Sequence, residues 1–180
     1  MPHQVAFLRA INVGGHNKIA MADLRNLFEK LGFSGVQTLL QSGNVVFESD
    51  RLQGPALEHL LEVETAKRLD VSVACLVRSA KELETIIASN PFEDEARRDS
   101  GHLLVMFLKT APKVADVSAL QAGIQRPEII RAEGKQLYAV YPAGIGRSKL
   151  TNALIEKKLA TQGTARNWNT VLKLAAMMKR

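Results

Sequence analysis

Apolar residues first gather in a near-continuous run over residues 5–11, the pattern of a covered strand. Met21, Leu24, Leu27, Phe28 and Leu31 then fall at helical spacing, and Gly32 supplies the stop. Residues 36–40 and 45–47 read as two strands joined by the tight turn Gln41-Ser42-Gly43-Asn44. Gly54-Pro55 opens a second helix, with Leu57, Leu60, Leu61 and Leu69 facing inward. Residues 71–77 close this unit as a fourth strand. Ser79-Ala80-Lys81-Glu82 has the form of a capping box, which predicts a helix to about residue 89, ended by Asn90-Pro91. Residues 92–101 are polar and charged and read as an exposed connection.

The pattern then begins again. Residues 103–108 form an apolar strand and residues 114–122 a short helix ending at Gly123. Residues 128–132 and 137–141 flank Glu133-Gly134-Lys135 as a second hairpin. Leu150, Leu154, Ile155 and Leu159 mark another helix, residues 164–167 a last strand, and residues 169–178 a closing helix. Two consecutive units share the order strand, helix, strand, strand, helix, strand. The expected fold is therefore α+β, with two tandem ferredoxin-like (βαββαβ) plaits. The expected division is residues 1–78, a connecting helix and loop over 79–101, and residues 102–180 with the C-terminal helix.

This topology brings polar segments together. In such a plait, the loop after the first strand and the hairpin between strands two and three lie at the same end of the sheet. The loop holds Arg9, Asn12, Gly14, Gly15, Asn17 and Lys18; the hairpin holds Gln41, Ser42, Gly43 and Asn44. By the same reasoning, the segment YPAGIGRSK is expected beside RNWNT. That would combine Tyr141, Arg147, Ser148 and Lys149 with Arg166, Asn167 and Thr170. Plain turn chemistry also accounts for many of these glycines and asparagines. AGIGRSK ends in a basic, hydroxyl-bearing helix start that suits an anion, although its glycine spacing is not that of a Walker A loop. Trp168 is either a stacking surface or a core anchor.

Charge sharpens this picture. From residue 131 onward there are ten Lys/Arg against two Glu, a net +8; the rest of the chain carries fourteen basic and sixteen acidic residues, a net −2. Such asymmetry fits an anionic partner, either a nucleotide, a phosphorylated metabolite or nucleic acid, and it fits equally a solvated basic surface. Hydrophobic content of 46 % with 23 % charged residues argues against disorder. No apolar run approaches the roughly 18 residues of a membrane span, so no membrane partner is expected. The N-terminal run lacks a basic region and is broken by Arg9, and it reads as a strand and not as a signal peptide. Cys75 stands alone, so no internal disulfide can form and a cytoplasmic location is the economical reading.

Catalytic chemistry is thinly represented. His3, His16, His59 and His102 are scattered, with no metal-ligand spacing, so no metal is expected; His16, in the first polar loop, is the one candidate acid/base group. Cys75 lies in an apolar strand as a small hydrophobe, and Ser42 lacks the elbow of a hydrolase serine. No aromatic RNA-recognition signature marks the central strands.

LRAINVGGHNKIAMADL, LGFSGVQTLLQSGNVVF, YPAGIGRSKL and TARNWNTVLKL together resemble the bacterial domain-of-unknown-function family sixteen-ninety-seven, over nearly the whole chain from residue 5 to 178. The resemblance implies two ferredoxin-like subdomains and no assigned activity. It places the family's motif positions on Arg9, Asn12, Gly14, Gly15, Asn17, Gln41, Ser42, Gly43, Asn44, Ser148, Lys149, Arg166, Asn167 and Thr170. The chain departs from the family pattern at Ala10 and Ala20, where RGINVGG and KIPM are expected.

The functional expectation is a small anionic ligand held in a polar cleft between the subdomains. Arg9, Lys18, Lys149 and Arg166 would supply charge, and Asn12, Asn17, Ser42, Asn44 and Asn167 directional hydrogen bonds. A nucleic-acid-binding module and a protein-interaction domain are the alternatives. The residues identify no cofactor, no reaction and no oligomeric state.

Overall fold

A computed structural model describes residues 1–125 and 127–179. The elements run β1 (His3–Leu8), α1 (Met21–Lys30), β2 (Ser34–Leu39), β3 (Asn44–Glu48), α2 (Gly54–Leu69), β4 (Cys75–Ser79) and α3 (Ala80–Ala88). Then follow α4 (Glu93–Arg98), β5 (Leu103–Leu108), α5 (Val114–Gly123), β6 (Ile129–Glu133), β7 (Gln136–Val140), α6 (Asn152–Leu159), β8 (Gly163–Asn167) and α7 (Trp168–Met177). The protein is thus mixed α+β, with two four-stranded antiparallel sheets ordered β2-β3-β1-β4 and β6-β7-β5-β8. Two compact units result: one comprises Met1–Thr85 and the residues from Leu174, the other Ile86–Lys173.

Alternation along the strands builds each core. In the first unit Ala6, Leu8, Val45, Phe47, Cys75 and Val77 share one sheet face and pack with Leu24 and Phe28 of α1 and Leu57 and Leu61 of α2. Phe47 meets Phe28 edge-on, with ring centroids 5.0 Å apart. In the second unit Met106, Leu108, Ile130, Leu137, Ala139 and Tyr141 pack with Leu120 of α5 and Ile155 and Leu159 of α6. The residues between them, such as Val5, Phe7, Val105 and Phe107, are buried too. That explains why the central strands read as continuous apolar runs.

Local signals set the boundaries. Ser79 and Glu82 form the reciprocal capping box of α3: Glu82 accepts from the Ser79 amide at 2.7 Å, and the Glu82 amide donates to Ser79 Oγ at 3.2 Å. Thr151 caps α6 by accepting from the Leu154 amide at 3.2 Å. Residues 92–101 are more ordered than the expected open connection. They contain α4 and a single 3₁₀ turn, Ser100–His102. The helix buries nothing, so no apolar period announces it; acidic residues in its first turn and a Glu93–Arg97 pair at 3.2 Å support it instead.

The two units repeat each other's wiring. The amide after the last β1–β3 pair, at Leu8, donates to Gly43 O at 2.9 Å; the Leu108 amide, after the last β5–β7 pair, donates to Lys135 O at 2.8 Å. Arg9 donates to Ala74 O and Lys109 to Gln162 O, each at 2.9 Å. They differ in where chain length is spent. Between β1 and α1 the first unit has residues 9–20, against residues 109–113 at the same place in the second. Between β7 and α6 the second unit has residues 141–151, against residues 49–53 in the first. Both long loops are the polar motifs, and each exceeds what the connection requires.

Candidate functional site

The loop of residues 9–20 curls back on itself. Ala10, Asn12, Gly14, Gly15 and Asn17 all take left-handed backbone angles, with φ of 54°, 55°, 58°, 78° and 49°. Glycine and asparagine adopt that region readily. Ala10 does not, so its φ of 54° is the less favourable one in the loop. The Asn12 amide group donates to Ile19 O at 3.0 Å and to Gln41 O at 2.8 Å, while its oxygen accepts from the Ile19 amide at 2.9 Å. Asn17 donates to Ala10 O at 3.1 Å. Asn44, fully buried, donates to Leu39 O at 2.8 Å and Ser42 Oγ at 3.1 Å.

The loop and the hairpin therefore do meet, through Asn12 and Gln41. Their asparagine side chains are engaged within the loop and the hairpin and act as a frame for both. Gly14, Gly15, His16, Asn17, Lys18 and Gln41 are exposed, Arg9 and Ser42 are partly covered, and Gly43 is buried beneath Ile11.

In the second unit the chain leaves β7 at Tyr141, whose amide donates to His102 O at 2.9 Å. Gly144, at φ 83°, donates back to Tyr141 O at 2.9 Å and begins a 3₁₀ turn over Ile145–Arg147. The buried Tyr141 hydroxyl donates to Leu150 O at 3.0 Å and so pins the far end of the loop. Ser148 Oγ donates to Glu128 Oε1 at 2.5 Å and accepts from the Leu150 amide at 3.0 Å. Between this loop, α5, α6 and the segment before β6 lies a cleft of about 770 Å³. Arg147, Lys149 and Lys158 line it together with Asp116 and Glu128, against apolar walls from Leu120, Ile124, Leu150 and Leu154. That volume is within the range of small-molecule sites.

RNWNT takes a different position. Ala165 packs into the helix-covered core, so Arg166 projects from the other sheet face, where it donates to Thr164 Oγ1 at 2.7 Å and Ala165 O at 2.8 Å. Arg166 does not line the cleft. Asn167 Oδ1 accepts from the Thr170 amide at 2.9 Å, an α7 cap, and Thr170 is buried. Trp168 is only 5 % exposed, which makes it a core anchor and removes it as a stacking surface.

Burial perturbs three groups here. It pushes the Tyr138 and Tyr141 phenols up to about 12, with Glu128 adding to the rise at Tyr141, and it lowers Arg166 to about 10. In the unfolded chain the phenols ionise near pH 10, so the stability they contribute is complete below pH 10 and is lost as pH rises towards 12. Arg166 acts in the opposite sense, since the folded state releases its proton first. Arg78, likewise lowered by burial, acts with Arg166. In urea unfolding, the variant with Phe at both tyrosine positions should therefore lose less stability, or gain more, between pH 10 and 12 than the wild type does. A slope unchanged by that double substitution would contradict the assignment.

One pair escaped the sequence reading. His102 Nδ1 lies 2.7 Å from Asp99 Oδ2, and a Cβ on Gly144 would stand 3.9 Å from His102 Nε2. The visible signal was an acidic residue three positions ahead of a histidine at a strand start. Among the described residues, no group of three or more His, Cys, Asp or Glu side chains could hold a metal ion. No helix among them is long and apolar enough to cross a membrane.

The family model described as Protein of unknown function (DUF1697) matches residues 1–138. Among solved structures the chain is similar to the conserved bacterial protein SP0830 from Streptococcus pneumoniae, at 22 % identity and a TM-score of 0.75, covering 98 % of each chain. That likeness concerns the fold. No curated protein matches the chain.

Proposed function

The chain belongs to the DUF1697 family, and we propose that it binds a small anionic ligand, a nucleotide or phosphorylated metabolite, in the cleft of its second unit. The observation that carries this reading is the convergence of Arg147, Lys149 and Lys158 on one concave site, beside backbone amides of a glycine-bearing turn. Each unit is read as a ferredoxin-like plait, a reading supported by central β1 and β3, central β5 and β7, and all-antiparallel pairing. The loop of the first unit is a further candidate surface, where Arg9, Lys18, Gln41 and Ser42 would face a ligand over a frame of Asn12, Gly14, Gly15, Asn17, Gly43 and Asn44. A lone buried cysteine fits a cytoplasmic protein.

Calorimetric titration with inorganic pyrophosphate and AMP tests the proposal. Binding is expected, and the Arg147→Ala/Lys149→Ala double variant should weaken it by roughly ten- to a hundred-fold, the scale of lost charged hydrogen bonds. Equal affinity in the double variant, or no binding of either probe, would remove the reading. The basic surface beyond residue 131 favours nucleic acid as the second reading; its mark would be affinity for RNA or DNA falling steeply with salt.

A further inference from the structure

Glu128 is out of place in a cleft that takes only an anion. Its residue is 9 % exposed, and it lines the cleft together with Arg147, Lys149 and Lys158. Among the described residues, no cation comes within ion-pair distance of its carboxylate. Its one described hydrogen bond is the Ser148 hydroxyl on Oε1, at 2.5 Å. A buried carboxylate so sparsely satisfied is costly, and it repels a phosphate unless hydrogen-bond donors stand against it.

We infer that the ligand is two-ended, and that Glu128 accepts hydrogen bonds from its donor end while Arg147, Lys149 and Lys158 hold its phosphate. The apolar wall of Leu120, Ile124, Leu150 and Leu154 offers a surface for a flat or aliphatic body. A nucleoside phosphate has all three parts: an exocyclic ring amine as the donor end, the base as the flat body, and the phosphate, joined to the base through the sugar, as the anion. The cleft volume of about 770 Å³ accommodates a molecule of that size. Glu128 is then a specificity residue, selecting nucleoside phosphates over bare phosphates. This inference rests on the anion-binding reading of the same cleft.

The test compares AMP with inorganic pyrophosphate on the wild-type chain and on Glu128→Gln, by calorimetry. Glutamine keeps an acceptor for Ser148 but removes the charge; melting temperature checks that the fold persists. The wild type should bind AMP more tightly than pyrophosphate. Glu128→Gln should weaken AMP by roughly ten-fold or more while leaving pyrophosphate unchanged or tighter. If both probes bind and Glu128→Gln shifts them equally, or neither, Glu128 serves only to position Ser148 and the inference fails while the cleft stands. If neither probe binds the wild type, the anion-binding reading itself fails and the inference with it.

Discussion

Replacing Glu58 by alanine should destabilise the protein by about 3–5 kcal/mol, the cost of breaking a buried charge pair by removing one partner. Glu58 and Arg78 are both buried, at 6 % and 4 % exposure, with Arg78 Nη1 3.8 Å from Glu58 Oε1. Burial lowers the Arg78 pKa, and the carboxylates of Glu58 and then Glu82 oppose that shift. The same Glu58 oxygen accepts from the Val77 amide at 2.9 Å, while Glu62, one turn along α2, accepts from the Cys75 amide at 2.9 Å. Residues four apart on a helix and two apart on a strand repeat at nearly the same distance, roughly 6 Å and 6.6 Å. Two glutamates can therefore serve two amides of an edge strand, which also shields that edge from foreign strands. For a chain this long the loss corresponds to a melting point lower by roughly 6–20 °C. Glu58→Gln should cost less, because the amide can still accept from Val77. A double-mutant cycle with Arg78→Met separates the ionic part. A loss below about 1 kcal/mol for Glu58→Ala would show that the other groups around Arg78, Glu82 among them, compensate its charge.

Gly43→Ala should cost about 2–4 kcal/mol, from a left-handed backbone and a clash acting together. Gly43 has φ 82°, and a Cβ there would stand 2.6 Å from Ile11 Cδ1, 2.9 Å from Ile11 Cγ1 and 3.0 Å from Leu8 Cβ. Ile11 is 1 % exposed, so any shift must displace its core neighbours. Gly15→Ala is the control. Its φ of 78° is similarly unfavourable, but its nearest neighbour, Lys18 Cε, is 3.9 Å away. The difference between the two, read by chemical unfolding, isolates the clash. Equal costs would mean that Ile11 yields freely.

Much of the architecture was legible because its signals are local. Apolar spacing located α1, α2 and α6, a capping box located α3, and glycine turns located both hairpins. Glycines and asparagines also marked the two long loops. What stayed hidden depends on the direction of side chains. That Asn12 and Asn17 spend their amides on carbonyls of the loop and the hairpin follows from left-handed angles that residue types only suggest. Arg166 sits at the expected end of its sheet, yet the alternation that puts Ala165 into the core sends Arg166 to the other face. Glu128 looked like the first residue of a strand, and only the path of residues 141–151 makes it a lining residue of a cleft. The Asp99–His102 pair needed a 3₁₀ turn inside a segment that reads as open connection.

The division into units has a consequence for biosynthesis. The first unit includes residues from Leu174 onward, although all of the second unit, Ile86–Lys173, precedes them. On a ribosome adding about 5–20 residues per second, the second unit has its complete set of residues before the first does. The early unit must wait, on the order of ten seconds, with part of its structure still unmade. Order of appearance along the chain is thus the reverse of order of completion.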